Sequence, residues 1–298
     1  MIGFPISALP FNSISSTMDP VDTTKIFRED LFKGKVALVS GGGTGICKGM
    51  ATALARHGAK LAIISRKLNK LEEAAEDIRK QTGTEVLALA ADVRKPADLE
   101  AAVQKTIEKF KRIDILVNGA AGNFLATIDD LSYNAFRTVI EIDLLGTFNL
   151  TKAALPYLRQ TRGSIINVSA TLGYNGTIMV SHAGAAKAAI DTFTKHMAVE
   201  LGPSGIRVNC IAPGPIADTE GYSRLMPEGM LQRAKQLIPL QRFGTIRDIE
   251  QATVFLASDA SCWTTGAVLV VDGGHWLTGN SQMEVYPDIV LRESKSKL

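Results

Sequence analysis

The run Val36-Ala37-Leu38-Val39-Ser40 passes directly into Gly41-Gly42-Gly43-Thr44-Gly45-Ile46-Cys47, and few folds accommodate that junction. A short, β-branched apolar run reads as a strand buried on both faces, the kind found in parallel sheets. Glycines behind it let the backbone approach another group closely. The amphipathic stretch from about Gly45 to Arg56 predicts a helix that starts at this turn. A helix N-terminus presents free N–H groups and the positive end of a dipole, so strand, glycine turn and helix together suit a nucleotide pyrophosphate. In the spacing Gly41-x-x-x-Gly45-x-Cys47, a thiol stands where a third glycine would give the tightest helix packing.

The pattern then repeats. Strands are expected at Lys60 to Ser65, Val86 to Ala91, Ile113 to Val117, Ser164 to Val168, Arg207 to Ala212 and Ala267 to Val271. Helices are expected at Leu68 to Gln81, from Pro96 to Lys111, within Leu131 to Leu158, and at Ser181 to Leu201 and Arg247 to Ser258. Alternating strands and helices predict an α/β fold: a Rossmann-like, doubly wound, seven-stranded parallel sheet in a single domain. With 298 residues and 46% hydrophobic content, the chain can bury a large core. Residues 1–32 read as an N-terminal extension and 33–277 as the domain. An irregular Pro/Gly-punctuated lid is expected at about 214–244, and residues 278–298 read as a tail. Met1 to Thr17 is apolar and lacks Lys and Arg, which fits neither a secretory nor a mitochondrial leader; Met18 is the expected functional start. No apolar run is long enough to span a membrane. A net charge of +3 without a basic stripe gives no reason to expect nucleic acid. Three scattered cysteines suggest neither disulfides nor a metal, and His57, His182, His196 and His275 are not clustered. His182 reads as a satisfied core histidine.

Ligand selectivity is expected at the strand ends. The second strand ends in Ser65-Arg66-Lys67; an arginine fork there suits a ribose 2′-phosphate, where an acidic residue would suit a free 2′-hydroxyl. Asp92-Val93 follows the third strand, and Asn118-Gly119-Ala120-Ala121-Gly122 the fourth. In register with the glycine turn, these resemble the short-chain dehydrogenase/reductase family over about residues 33–277. The resemblance implies a cofactor site made by Gly41, Gly43, Thr44, Gly45, Ile46, Arg66, Lys67, Asp92, Val93, Asn118, Ala120, Lys187, Pro213, Gly214, Pro215, Ile216 and Thr219, holding NADP(H).

The family's catalytic signature is incomplete. Lys187 is present, but Ala183 stands four residues before it in place of tyrosine. Ala170 takes the serine position and Asp143 the asparagine position. Without the tyrosine, a ketone reduction lacks its proton donor. Asp143 and Lys187 remain, and such a pair can position a water as acid. That suits hydride addition to a conjugated dienoyl thioester, which gives a carbon acid. In this the chain is similar to the peroxisomal 2,4-dienoyl-CoA reductases within the family. The segments Asn118 to Phe124, Ser132 to Phe136, Ala170 to Gly173, His182 to Gly184 and Pro213 to Ile216 also match that group. The resemblance implies a fatty acyl-CoA substrate, hydride to C5, a water-mediated proton to C2 and a 3-enoyl-CoA product. It further implies substrate contacts from Arg66, Arg94, Phe124, Ser132, Tyr133, Asn134 and Arg224, and a homodimer or homotetramer. The last residues, Ser296-Lys297-Leu298, match the tripeptide read by the peroxisomal import receptor, so the expected location is the peroxisome matrix. A 3-oxoacyl reductase and an NADP-binding pseudoenzyme are the alternatives.

Overall fold

The computed structural model describes residues 22–219 and 231–278. Within them, β1 (Val36–Ser40), β2 (Lys60–Ser65), β3 (Val86–Ala90), β4 (Ile115–Asn118), β5 (Ser164–Val168), β6 (Arg207–Pro213) and β7 (Val268–Val271) form one sheet. Its order is β3-β2-β1-β4-β5-β6-β7, and every pairing is parallel. The connecting helices are α1 (Gly45–Arg56), α2 (Leu68–Thr82), α3 (Pro96–Phe110), α4 (Tyr133–Ile140), α5 (Gly146–Thr161), α6 (Ser181–Leu201), α7 (Leu231–Gln236) and α8 (Ile246–Ala257).

Side-chain alternation along the strands divides the interior into two layers. Ala37 and Val39 of β1 and Leu61 and Ile63 of β2 pack on α1, α2 and α8. Val36, Leu38, Ala62 and Ile64 face α3, α5 and α6 on the other side. The strands are apolar on both faces because helices cover both. The chain order reverses beside β1, where β2 leaves one way and β4 the other, and a crevice opens at the carboxyl ends of β1 and β4.

Two sequence expectations change. The helical stretch after the fourth strand divides into α4 and α5, joined by a π-helical turn over Glu141–Leu145, in which the Gly146 N–H bonds to the Glu141 carbonyl. Such a turn re-aims side chains within an otherwise continuous helix, and here it carries Asp143. Residues 22–32, expected to belong to an appendage, pack onto the domain. Thr23 and Phe32 are fully buried, and both ring nitrogens of His57 are taken, by the Arg28 carbonyl at 2.6 Å and Thr23 Oγ1 at 2.8 Å.

Near the ends of the stretch expected as a lid, Ile216 pairs with Gly244 in an isolated parallel bridge. A capping box between Thr245 and Asp248 then starts α8. Arg224, the import tripeptide and residues 1–17 lie outside the described residues.

Candidate active site

At the nucleotide end the crevice is made of backbone. Gly41 has φ of +73°, and a Cβ there would meet the Gly119 carbonyl oxygen at 2.8 Å, so β1 and β4 separate only because this residue has no side chain. Gly45 has φ of +55° with nothing within 4 Å of a Cβ position. It opens α1 behind Thr44, with no acidic residue in the first turn, leaving an unobstructed, electropositive cradle. Ser40 Oγ accepts from the N–H groups of Gly119 and Ala120 at 3.0 and 3.3 Å and fixes the opposite wall. Cys47 is accommodated by a trade: a Cβ on Gly119 would lie 2.2 Å from its Sγ, and the thiol bonds the Gly119 carbonyl at 3.4 Å. Burial pushes that thiol up to about 11, against the opposing charge of Lys187.

The strand ends supply charge. Arg66 and Lys67 are exposed. Arg94 grips Asp92, its Nε 3.0 Å from Oδ1 and its Nη2 2.5 Å from Oδ2. Those hydrogen bonds, against partial burial, hold the Asp92 carboxyl down at about 2; the charge of Arg66 also contributes. The Val93 carbonyl accepts from Asn149 Nδ2 at 3.0 Å, tying this end to α5.

At the other end the crevice is made of buried charge. Asp143 is 1% exposed. Its Oδ1 accepts from the Gly122 N–H at 2.8 Å, and its Oδ2 lies 3.0 Å from Lys187 Nζ. That ion pair is not an aligned hydrogen bond, so Oδ2 keeps free lone pairs. Lys187 Nζ also donates to the Val168 carbonyl at 3.0 Å. The lysine is therefore held by the end of β5 and the aspartate by the loop after β4. Thr147 Oγ1 donates to the Asp143 carbonyl at 2.7 Å and steadies the π turn. An uncompensated charge this deep would cost several kcal/mol, so each partner's burial depends on the other.

These features fit a dinucleotide bound across the switch point. The family model described as Enoyl-(Acyl carrier protein) reductase matches residues 41–275. A peroxisomal 2,4-dienoyl-CoA reductase of Danio rerio is 49% identical, covering 91% of each chain. The Saccharomyces cerevisiae protein of that name is also 49% identical, over 91% of this chain and 94% of its own. A short-chain dehydrogenase structure from Bacillus anthracis superposes with a TM-score of 0.77 at 40% identity, covering 86% of this chain and all of that one. The chain belongs to the short-chain dehydrogenase/reductase family. The structure of an NAD+-bound xylitol dehydrogenase superposes equally well, with a TM-score of 0.78 at 29% identity.

Within this family frame, several expected residues also make contacts within the protein. Asn118 is buried and donates to Thr151 Oγ1 and Asn167 Oδ1, each at 2.9 Å; it braces β4 against β5 and α5. Ser132 caps α4 by accepting from the Ala135 N–H at 3.1 Å. Tyr133 is 96% exposed, and Asn134 is also on the surface. Arg94 is occupied by Asp92. Pro213 ends β6, paired with Val271, and Gly214, Pro215 and Ile216 run on past the strand. There the Gly214 N–H bonds the Val271 carbonyl at 3.0 Å, and Asp272 leaves no room for a Cβ. Thr219 turns back to the Ile216 carbonyl at 2.8 Å.

His182 departs from expectation. It is fully buried, but neither ring nitrogen has a partner in good hydrogen-bond geometry; only a loose contact with the Phe124 main chain reaches the ring. Its ring stacks on Phe124 with centroids 4.3 Å apart and planes 22° apart. Burial lowers its pKa, while that main-chain contact and the charge of Asp143 oppose the shift. The contributions of the Gly122 N–H, the Val168 carbonyl and Ser40 had no sequence signal beyond their places at strand ends.

Among the described residues no His/Cys/Asp/Glu group is arranged to hold a metal, and no helix is long and apolar enough to cross a membrane.

Proposed function

We propose that this chain is an NADPH-dependent 2,4-dienoyl-CoA reductase acting on unsaturated fatty acyl-CoA in the peroxisome matrix. The observation that carries the reading is the buried Asp143–Lys187 pair on a wall where Ala170 and Ala183 stand in place of a hydroxyl pair. The names of relatives 49% identical over nine-tenths of the chain support it.

A bound reduced nicotinamide supplies the hydride. The chain's residues do the rest. The Gly41–Ile46 turn and the α1 N-terminus hold the pyrophosphate. Exposed Arg66, with Lys67 beside it, meets the ribose 2′-phosphate with a planar fork. Lys187 holds positive charge next to the reacting centre. Hydride arriving at C5 of the dienoyl chain moves electrons toward the thioester and gives a dienolate. Asp143 Oδ2, which still has free lone pairs, holds a water that gives its proton to C2, and solvent restores the proton. The product is a 3-enoyl-CoA. Two alanines fit this chemistry because no alkoxide needs a phenol. Phe124, 38% exposed at the mouth, borders the acyl path. The Ser296-Lys297-Leu298 terminus is the import address. Half-exposed Phe148 on α5 and exposed Val199 on α6 suit pairing of copies into a homodimer or homotetramer.

The test is NADPH consumption by purified protein with a 2,4-dienoyl-CoA and, separately, a 3-oxoacyl-CoA. Oxidation with the dienoyl substrate alone is expected. Turnover of the oxo substrate would place the proton donor elsewhere. Silence on both with NADPH still bound would leave a pseudoenzyme.

A further inference from the structure

Two histidines in this molecule are fully buried, and they are treated differently. His57 has both nitrogens engaged, at 2.6 and 2.8 Å. His182 has neither in good hydrogen-bond geometry. A buried polar group without a partner costs about 1–3 kcal/mol, and native proteins rarely retain one without a water, a ligand or a catalytic role to account for it.

The location of His182 indicates which ligand. It occupies the first turn of α6, beside Ala183 and five residues before Lys187, and it senses the charge of Asp143. The ring of Phe124 stacks over it. Phe124 lies in the loop that the Gly122 N–H ties to Asp143 and the Ala126 N–H ties to the Met179 carbonyl at 2.9 Å. The donors nearest it face other partners. Lys187 Nζ is shared between Asp143 and the Val168 carbonyl, and Ser169 Oγ donates to the Lys187 carbonyl at 3.2 Å. Ala170 and Ala183 have none to give.

The reaction needs one more donor. When hydride reaches C5, the C4=C5 and C2=C3 electrons shift toward C1 and the thioester oxygen takes up negative charge. Protonation at C2 then restores the carbonyl. A hydrogen bond aimed at that oxygen is stronger in the transition state than in the ground state, which is the condition for catalysis. We propose that His182 is this donor: as the acyl chain enters past Phe124, the ring slides off the imidazole, and the freed N–H bonds the thioester carbonyl oxygen. The imidazole keeps its proton throughout, so the balance of the reaction is unchanged. This rests on the acyl-thioester reading above. A ring kept neutral by burial suits the role, because it donates without bringing a second full charge beside Lys187.

The test combines a carbonyl spectrum with kinetics. A 2-enoyl-CoA labelled with carbon-13 at C1 is bound with NADP+, and its carbonyl stretch is read by isotope-edited infrared. The wild-type protein should lower that frequency, and His182→Phe, which keeps an aromatic ring against Phe124, should return it to the value in solution. In dienoyl-CoA turnover, His182→Phe should lower kcat by about 100-fold with little change in KM. His182→Gln, which restores an N–H donor, should regain at least about tenfold of that. An unshifted band in the wild-type complex, or a band lowered equally in His182→Phe, overturns the proposal. Wild-type protein that lowers the band through His182 but reduces no dienoyl-CoA would keep the contact and overturn the reaction assigned above.

Discussion

Around Gly41 the crevice is built from backbone, and around Asp143 from buried charge. The first end is held open by missing side chains. Gly41 lets β1 pass the Gly119 carbonyl, Gly45 leaves the mouth of α1 clear, and the charged groups, Arg66 and the Arg94–Asp92 fork, lie toward solvent. The second end is held shut by contacts among four separate segments, at residues 122, 143, 168 and 187. A cradle for a common nucleotide can be made from one local motif, because it needs only N–H groups and space. Opposite charges brought out of water at a fixed separation require the whole sheet behind them.

The sharpest way to break this contrast is Asp143→Ala. If the buried end does chemistry and the backbone end does binding, kcat for dienoyl-CoA should fall about 1,000-fold while the NADPH dissociation constant, followed by nicotinamide fluorescence, changes less than about twofold. Equal losses in both would mean that the two ends are one site.

Lys187→Met separates burial from chemistry. It strands the Asp143 carboxylate, so stability in urea should drop by about 3–5 kcal/mol. Most of that loss should return in the double variant with Asp143→Asn, which leaves no charge to strand. A single variant as stable as the wild type would deny the interdependence described above.

At the backbone end the largest effect should come from volume. Gly119→Ala puts a Cβ against the Cys47 thiol, and overpacking of this kind costs about 1–3 kcal/mol. Cys47→Gly in the same chain should recover most of that, as read in paired thermal melts. Failure to recover would show that the Ser40 carbonyl, 3.1 Å from the same position, sets the limit instead.

Arg66→Ala should move cofactor preference without touching the chemistry. Losing a charge-assisted contact of about 1.5–3 kcal/mol should raise the KM for NADPH at least tenfold and leave the value for NADH unchanged. An unaltered ratio would assign the 2′-phosphate to another residue.

The smallest effect concerns pH. The Asp92 carboxyl is held at about 2, below its usual 3.8. Its contribution to stability is therefore complete above about pH 4 and fades as the pH falls toward 2. Melting temperatures of wild type and Asp92→Asn should differ most at neutral pH and converge below pH 4. A gap that widened on acidification would mean that the fork with Arg94 does not lower this carboxyl.

The sequence alone was enough for the sheet, the helices and the position of the glycine turn. Each depends on local repeats: two-residue alternation, apolar runs and glycines at fixed spacing. It also pointed to Lys187 and Asp143 by their places in a familiar pattern with two members missing, and the fold brings them 3.0 Å apart. It could not show that Asn118 braces β4 against β5 and α5, because its partners Asn167 and Thr151 lie far along the chain. It made His182 a satisfied core residue because the count around a helix turns that side chain about 100° from Ala183. Residues 22–32 looked like an appendage because Phe32 has no local periodicity to mark it as core.

Tertiary structure decided the rest. The π turn at Glu141–Leu145 sets the aim of Asp143, the Gly122 N–H and Val168 carbonyl hold the two charges, and Phe124 stacks over a histidine with no partner in good hydrogen-bond geometry. Hydrogen-bond satisfaction is a property of what surrounds an atom. Residues far apart in sequence supply those surroundings, so no stretch of the chain read alone contains them.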